Sequence, residues 1–235
     1  MRTTLGVLGA TLLMAAAPTV MAQQVATYDP QQLPATQGQV AQFSLTPRGD
    51  VDGVILQDGT QVHMPPHLGG QLVQAVRPGD TVTVRGLKAQ ALPLIQGFSI
   101  SDQASGQTVT DNGPPPRPPQ PVAANSQWLQ VQGRVKETLY GPRGDMNGAL
   151  LDDGTQIYLP PNQAAAMRQD LQPGGILVAE GYGVSGTYGT SIDAQHIGAS
   201  QAQLVQVGPP APPCHRPPPP PPGAGPEAAP PPAPR

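Results

Sequence analysis

Few side chains in this chain are of types that could do chemistry. His63 and His67 flank Pro65-Pro66 at a His-x3-His spacing. As metal ligands they would need one or two further donors, and Asp52 or Asp50 could supply a carboxylate. The two prolines remove the one-face helical geometry that such a spacing otherwise offers. The competing reading is a strand residue at His63 and a helix-starting residue at His67. Cys214 is the single cysteine and His215 follows it, so the thiol is either free, paired between chains or a metal donor. Arg48 and Arg143 sit in Pro-Arg-Gly-Asp turns. The turn itself explains Gly and Asp without any receptor, and an exposed Arg–Asp pair there would contribute only ~0–1 kcal/mol. Tyr140, Tyr158, Tyr182 and Tyr188 supply rings on which a ligand could stack. No Ser-His-Asp arrangement, nucleotide-cradling Gly loop or carboxylate pair with an acid role is legible. The chain reads as non-catalytic, with no cofactor expected.

What must position these residues is stated twice. Gly38 to Gly86 aligns without a gap on Gly133 to Gly181, a fixed-period self-similarity. Pro47-Arg48-Gly49-Asp50 matches Pro142-Arg143-Gly144-Asp145, and Asp58-Gly59-Thr60-Gln61 matches Asp153-Gly154-Thr155-Gln156. Pro65-Pro66 and Pro78-Gly79 recur as Pro160-Pro161 and Pro173-Gly174. Within the first copy, residues 39–45 read as a half-buried strand and Pro47–Asp50 as a turn. A second strand follows over 51–57, with Gly53 marking a bulge or a close backbone approach. Asp58-Gly59 is a hairpin signal leading into a third strand over 60–64. Pro65-Pro66 stops the sheet, and Leu68, Leu72, Ala75 and Val76 fall at helical spacing. Pro78-Gly79 ends that helix, a fourth strand covers 80–85, and a last strand lies near 98–109.

Three strands, a short helix and two strands is the order of an OB-fold, a five-stranded Greek-key barrel with a helix between strands three and four. The expected fold is therefore all-β with short helices: two tandem OB-fold-like five-stranded barrels, with a disordered Pro-rich linker and tail. A β-sandwich is the alternative architecture. The boundaries read as a signal peptide over 1–22, barrels over 36–110 and 125–207, a linker over 111–124 and a tail over 208–235. The 33 prolines cluster in the linker and tail, which lack the bulky apolar residues needed to bury a core and favour polyproline II.

On strand three, Val62 and Met64 alternate with His63, as Ile157 and Leu159 alternate with Tyr158. The apolar pair should face the barrel, leaving His63 and Tyr158 on the outer face where OB-folds bind ligands. Tyr140 falls at the first loop of copy two, and Tyr182 and Tyr188 are expected in its loop between strands four and five. Copy one offers only Leu45, Leu87 and Pro93 at those offsets. Copy two is thus expected to carry the better platform, with Arg48 and His63 as further contacts; tyrosines that merely cover barrel ends are the competing reading.

The run Gly-x-Val…Pro-Arg-Gly-Asp-Val-Asp-Gly-Val-Ile-Leu-x-Asp-Gly-Thr-x-Val-His-x-Pro-Pro-His-Leu resembles that of exported proteobacterial tandem OB-fold proteins. More loosely it is similar to the periplasmic bacterial OB-fold group. The resemblance covers the first half of each module and implies a binding or stress-related periplasmic role, without catalytic residues to carry over. Copy two departs from the pattern at Tyr158 and Asn162, where copy one has His63 and His67, so a histidine-based role would not extend to it.

Arg2, the apolar stretch Leu5–Ala17 and Val20-Met21-Ala22 read as a secretory signal cut after Ala22. The stretch is shorter than the ~20 residues of a spanning helix, so the mature chain is expected in the periplasm or outside the cell, without a membrane span. Acidic side chains outnumber basic ones in each module and the net charge is −3. Nucleic-acid binding needs clustered Lys and Arg with stacking aromatics, so charge and export both argue against that partner, whatever the fold suggests by analogy. The reading is an exported non-catalytic binding or scaffolding protein whose strand 2–3 face takes a small molecule, peptide or glycan. The alternatives are an interaction protein acting through its Pro-rich tail and a metal-handling protein using His63 and His67.

Overall fold

The computed structural model describes residues 32–113 and 126–207. The first barrel runs β1 (Ala35–Leu45), β2 (Val51–Leu56), β3 (Gln61–His63), a 3-10 turn (Pro66–Leu68), α1 (Gly69–Ala75), β4 (Thr81–Lys88), β5 (Leu94–Asp102) and β6 (Thr108–Thr110). The second repeats it as β7 (Gln127–Tyr140), β8 (Met146–Leu151), β9 (Gln156–Tyr158), α2 (Pro161–Ala166), β10 (Ile176–Gly186) and β11 (Gly189–Gly198). A 3-10 turn (Gln201–Gln203) and a short β12 (Val205–Gln206) follow. Each barrel closes by one parallel pairing, β3 on β5 and β9 on β11, while the other barrel neighbours are antiparallel. Both are OB-fold-like barrels, as the element order predicts.

The long first strand of each copy serves two partners. Residues 35–39 of β1 pair with β4, and Val40 to Leu45 pair with β2, with register shifts after Val40 and after Ser44. β7 does the same between β10 and β8. Such bulges raise the local twist that a small barrel needs to close. Gly53 and Gly148 meet the expectation of close approach: an added Cβ would lie 1.9 Å from the carbonyl oxygen of Val62 or of Ile157. The Asp-Gly hairpins also stand as expected. Gly59 and Gly154 take φ of 82° and 87°, and Asp58 and Asp153 each accept the N–H of the following Thr at 2.9 Å.

Barrel one is filled by Val40, Leu56, Val62, Leu72, Val82, Val84, Ile95 and Ile100, and barrel two by Val135, Leu151, Ile157, Leu171, Leu177, Ile192 and Ile197. Leu68 of the 3-10 turn and Leu72 of α1 plug the first barrel; Ala164 of α2 and Leu171, in the turns beyond its end, do so in the second. Two elements differ from the sequence expectation. The last barrel strand begins at Leu94, because residues 94–96 make the parallel closure with β3, and residues 108–110 return as the separate strand β6. The helix opens as a 3-10 turn over Pro66–Leu68 and becomes α-helical only from Gly69. Among the described residues no helix is long and apolar enough to cross a membrane.

Candidate functional site

The strand 2–3 faces of the two barrels are packed against each other. Gln61, at the start of β3, donates through Nε2 to the Thr138 carbonyl at 2.7 Å and accepts the Tyr140 N–H at 2.9 Å. Its repeat partner Gln156 makes the reciprocal pair, donating to the Phe43 carbonyl at 2.9 Å and accepting the Leu45 N–H at 2.9 Å. Each barrel therefore lends one buried amide to the end of the other's first strand, as a pseudo-twofold axis requires. Ile55, Leu139, Leu150 and Tyr158 form the apolar cluster between them. The loops close over the same seam: Gly49 packs on Val184, and Gly144 on Leu92.

This geometry corrects the expected ligand face. His63 and Tyr158 do point out of their own barrels, but the neighbouring barrel covers them, leaving 9% and 7% of each exposed. Tyr158 donates its hydroxyl to the Leu45 carbonyl and lies 3.1 Å from Gln156 Oε1. Burial pushes its phenol upward, so it stays neutral. At the matching place His63 Nε2 lies 2.8 Å from the Tyr140 carbonyl. A carbonyl can only accept, so Nε2 carries the proton and Nδ1 turns toward the Asp52 carboxylate, 3.8 Å away. That is an ion-pair distance, too long for a hydrogen bond. Burial works to lower the His63 pKa, but the Asp52 carboxylate and the Tyr140 carbonyl outweigh it, and the net shift is upward. A neutral imidazole would aim a lone pair at Asp52; a protonated one presents an N–H.

The remaining expected residues separate. Tyr140 serves the seam through its backbone. Tyr188, in the β10–β11 turn, meets Phe43 of the first barrel edge-on at 5.6 Å, while remaining partly exposed. Tyr182 is not in that loop; it lies on β10 itself. Arg48 is exposed on the turn that packs on Val184. His67 is half-buried, 3.8 Å from Asp111. Among the described residues no three His, Cys, Asp or Glu side chains cluster as a metal would need, and His63 is spent on the seam. Cys214 lies outside the described residues.

Two ordered rows cross the outer surface of barrel two. In one, Trp128 on β7 pairs with Tyr182 on β10, which pairs with Asp193 on β11. The Trp128 and Tyr182 rings meet edge-on at 5.2 Å while keeping 47% and 41% of their areas exposed. In the adjoining row, Gln130 pairs with Glu180, Glu180 with His196 and His196 with Gln206 of β12. Gln201 ties it together, bonding both Gln130 and Glu180. His196 stands 6.3 Å from Trp128, and its Nδ1 is shut from solvent without a hydrogen-bond partner. Desolvation raises the Asp193 carboxyl. Apolar ring faces flanked by amides and carboxylates can hold a ligand with one apolar and one polar side.

Sequence reasoning missed Trp128, His196 and the two seam glutamines. Trp128 precedes the gapless repeat, so no copy-to-copy comparison reached it, though it is the single tryptophan. Gln61 and Gln156 are legible as identities, but each follows an Asp-Gly-Thr turn whose local chemistry accounts for the motif without them.

Neither the family models nor the curated proteins include a match to this chain. Among solved structures, it is similar to a deletion mutant of the single-stranded DNA binding protein from Thermus aquaticus. That likeness has 13% identity, covers 75% of this chain and 96% of the other, and has a TM-score of 0.22. So low a score carries no argument; the fold rests on the strand order and barrel closure.

Proposed function

We propose that this is an exported, non-catalytic binding or scaffolding protein whose ligand surface is the outer aromatic row of the second barrel. The observation that carries the reading is the Trp128–Tyr182 pair, exposed in register beside the Gln130–Glu180–His196 row. The strand 2–3 faces are spent on each other, so the ligand moves to the outer sheet. The chemistry suits a proline-rich peptide or a glycan, each with apolar patches that stack on rings and polar groups that meet amides and carboxylates. Acidic side chains at the row, Glu180 and Asp193, support this class over phosphate-bearing ligands. Export rests on the amino-terminal segment, and sequencing the mature N-terminus tests cleavage after Ala22.

The ligand test is a titration of Trp128 emission with a proline-rich peptide and, separately, with a β-linked N-acetylglucosamine oligomer. Saturable quenching by one of them, lost in Tyr182→Ala, is the expected result. Chemical-shift changes confined to other surfaces, or binding that survives both Trp128→Ala and Tyr182→Ala, would overturn it.

A further inference from the structure

The first half of β7 uses only one of its two backbone edges. From Val135 onward the strand pairs with β8, while residues 127–134 pair with β10. The bonds at the bend show which groups face which side. The Val135 N–H and carbonyl both go to the β10 side, bonding Gly175 and Gly174 at 2.8 Å. The Arg134 carbonyl goes to the β8 side, where it accepts the Asp152 N–H at 2.9 Å. Backbone direction alternates along an antiparallel strand, so residues 127, 129, 131 and 133 turn their N–H and carbonyl groups to β10. Trp128, Gln130 and Gln132 turn theirs the other way, where no strand lies among the described residues. The close Trp128 and Tyr182 rings agree with this, since side chains come nearest in pairs that exchange no backbone bond.

Such an edge is a template for another strand, and folded proteins blunt it by shortness, proline or charge. Elsewhere in this chain that is done. β6 and β12 have three and two residues. In barrel one the corresponding edge of β1 offers Ala35 and Gln37 and stops at Pro34. Residues 126–133, Ser-Gln-Trp-Leu-Gln-Val-Gln-Gly, carry neither proline nor charge.

We propose that this edge of β7 pairs with the same edge of a second copy of the chain, antiparallel about Gln130, so that the two second barrels share one continuous sheet. The inference goes beyond the ligand surface proposed above and does not depend on it.

Symmetry and charge select this occupant. A twofold contact sets Gln130 against Gln130 of the other copy, Trp128 against Gln132 and Leu129 against Val131. Trp128, Gln130 and Gln132 can then exchange both backbone bonds with their opposites. Leu129 and Val131 already pack on the core of barrel two, so their row meets apolar with apolar. Like charges directly opposite destabilise a strand pair, and none meet here. The first charged side chain, Arg134, lies beyond Gly133 and bonds the Gly174 carbonyl. A charged peptide would be selected by complementary charge on the edge, whereas a neutral edge is what a strand facing its own copy requires. Antiparallel order also sends the C-terminal halves of the two β7 strands, and the barrels they bend into, to opposite ends of the paired ribbon. The contact is small, below the ~1,200 Å² of stable complexes, so the dimer forms reversibly with concentration.

Sedimentation of the full chain from micromolar to millimolar concentration is expected to show a monomer passing into a dimer. Amide hydrogen exchange reads the register. The N–H groups of Trp128, Gln130 and Gln132 should gain protection as the dimer forms, while those of Leu129, Val131 and Gly133 stay protected throughout. Gln132→Pro removes an N–H that its own barrel does not use, and should leave a folded monomer. Gln130→Lys and Gln130→Glu should each be monomeric alone and should pair when mixed, which a folding defect would not produce. A monomer at every concentration overturns the inference. So does a dimer that survives Gln132→Pro, or a mixture of the Lys and Glu variants that stays monomeric. Protection of the Trp128, Gln130 and Gln132 N–H groups that persists in the dilute monomer also overturns it, by assigning the edge to another segment of the same chain. None of these outcomes bears on ligand binding at Trp128 and Tyr182, which is read separately by Tyr182→Ala.

Discussion

The two halves of the seam are built from the same amide and finished with different side chains. Gln61 and Gln156 perform the same task in opposite directions, each capping the end of the other barrel's first strand. Beside them, barrel one offers His63 and barrel two Tyr158, and each reaches a backbone carbonyl across the seam. The amides are alike because the backbone groups they satisfy are alike. The neighbours diverge because a carbonyl acceptor asks only for a donor, and phenol and imidazole both provide one. The two donors differ in what else they bring: a neutral hydroxyl on one side, a titratable ring facing Asp52 on the other.

The comparison is broken most severely by removing what both halves share. Gly53→Ala and Gly148→Ala each drive a methyl into a carbonyl of the paired strand. Each is expected to cost at least about 3 kcal/mol, equally in either copy, as read from urea unfolding of the full chain. Gln156→Ala strands the Leu45 N–H and the Phe43 carbonyl in a dry seam, a loss of about 1–3 kcal/mol. Gln61→Ala should fall in the same range, but smaller, because Gln156 also contacts the Tyr158 hydroxyl. A double-mutant cycle of Gln156→Ala with Tyr158→Phe should therefore show coupling, and additivity would contradict the shared network. Tyr188→Ala removes the edge-on contact with Phe43 and should cost about 0.5–1.5 kcal/mol beyond the lost burial, measured as a lowered Tm.

The smallest expected effect separates the halves most sharply. The His63 pKa is raised in the folded state. Its contribution is thus fully present below the unfolded value of about 6.5 and fades as pH rises through the higher folded value. The seam should be tighter in mild acid, seen as a Tm that declines between about pH 6 and 8. Glu137, raised by burial near Asp58 at the seam's edge, acts in the same direction at lower pH. His63→Gln keeps a donor for the Tyr140 carbonyl and should flatten the decline above pH ~6. A slope unchanged in His63→Gln would place the titration elsewhere.

Legibility in the sequence followed physical range. The barrels, their turns and the helix position could be read because Asp-Gly, Pro-Pro and Pro-Gly act within a few residues. The outward aim of His63 and Tyr158 could be read from strand alternation alone. That the surface they face is another copy of the same barrel could not, since alternation separates the barrel interior from its exterior and is blind to what covers the exterior. Tyr182 shows the same limit in reverse. Assigned to a loop, it belongs to β10, as Leu87 at the matching place belongs to β4, and its partner Trp128 is distant in sequence and adjacent only through the β7–β10 register.

The sequence by itself determined two copies of one barrel, because local turn chemistry and period-two burial suffice to specify each. It also marked Gln61 and Gln156 as shared, without saying why. Only the tertiary structure decided that the shared amides meet reciprocally across a seam, that His63 and Tyr158 are consumed there, and that Trp128 and Tyr182 remain outside. Those outcomes depend on which surfaces of two folded bodies are complementary, a property of backbone groups and side chains far apart in the chain that come into contact only after both barrels have closed.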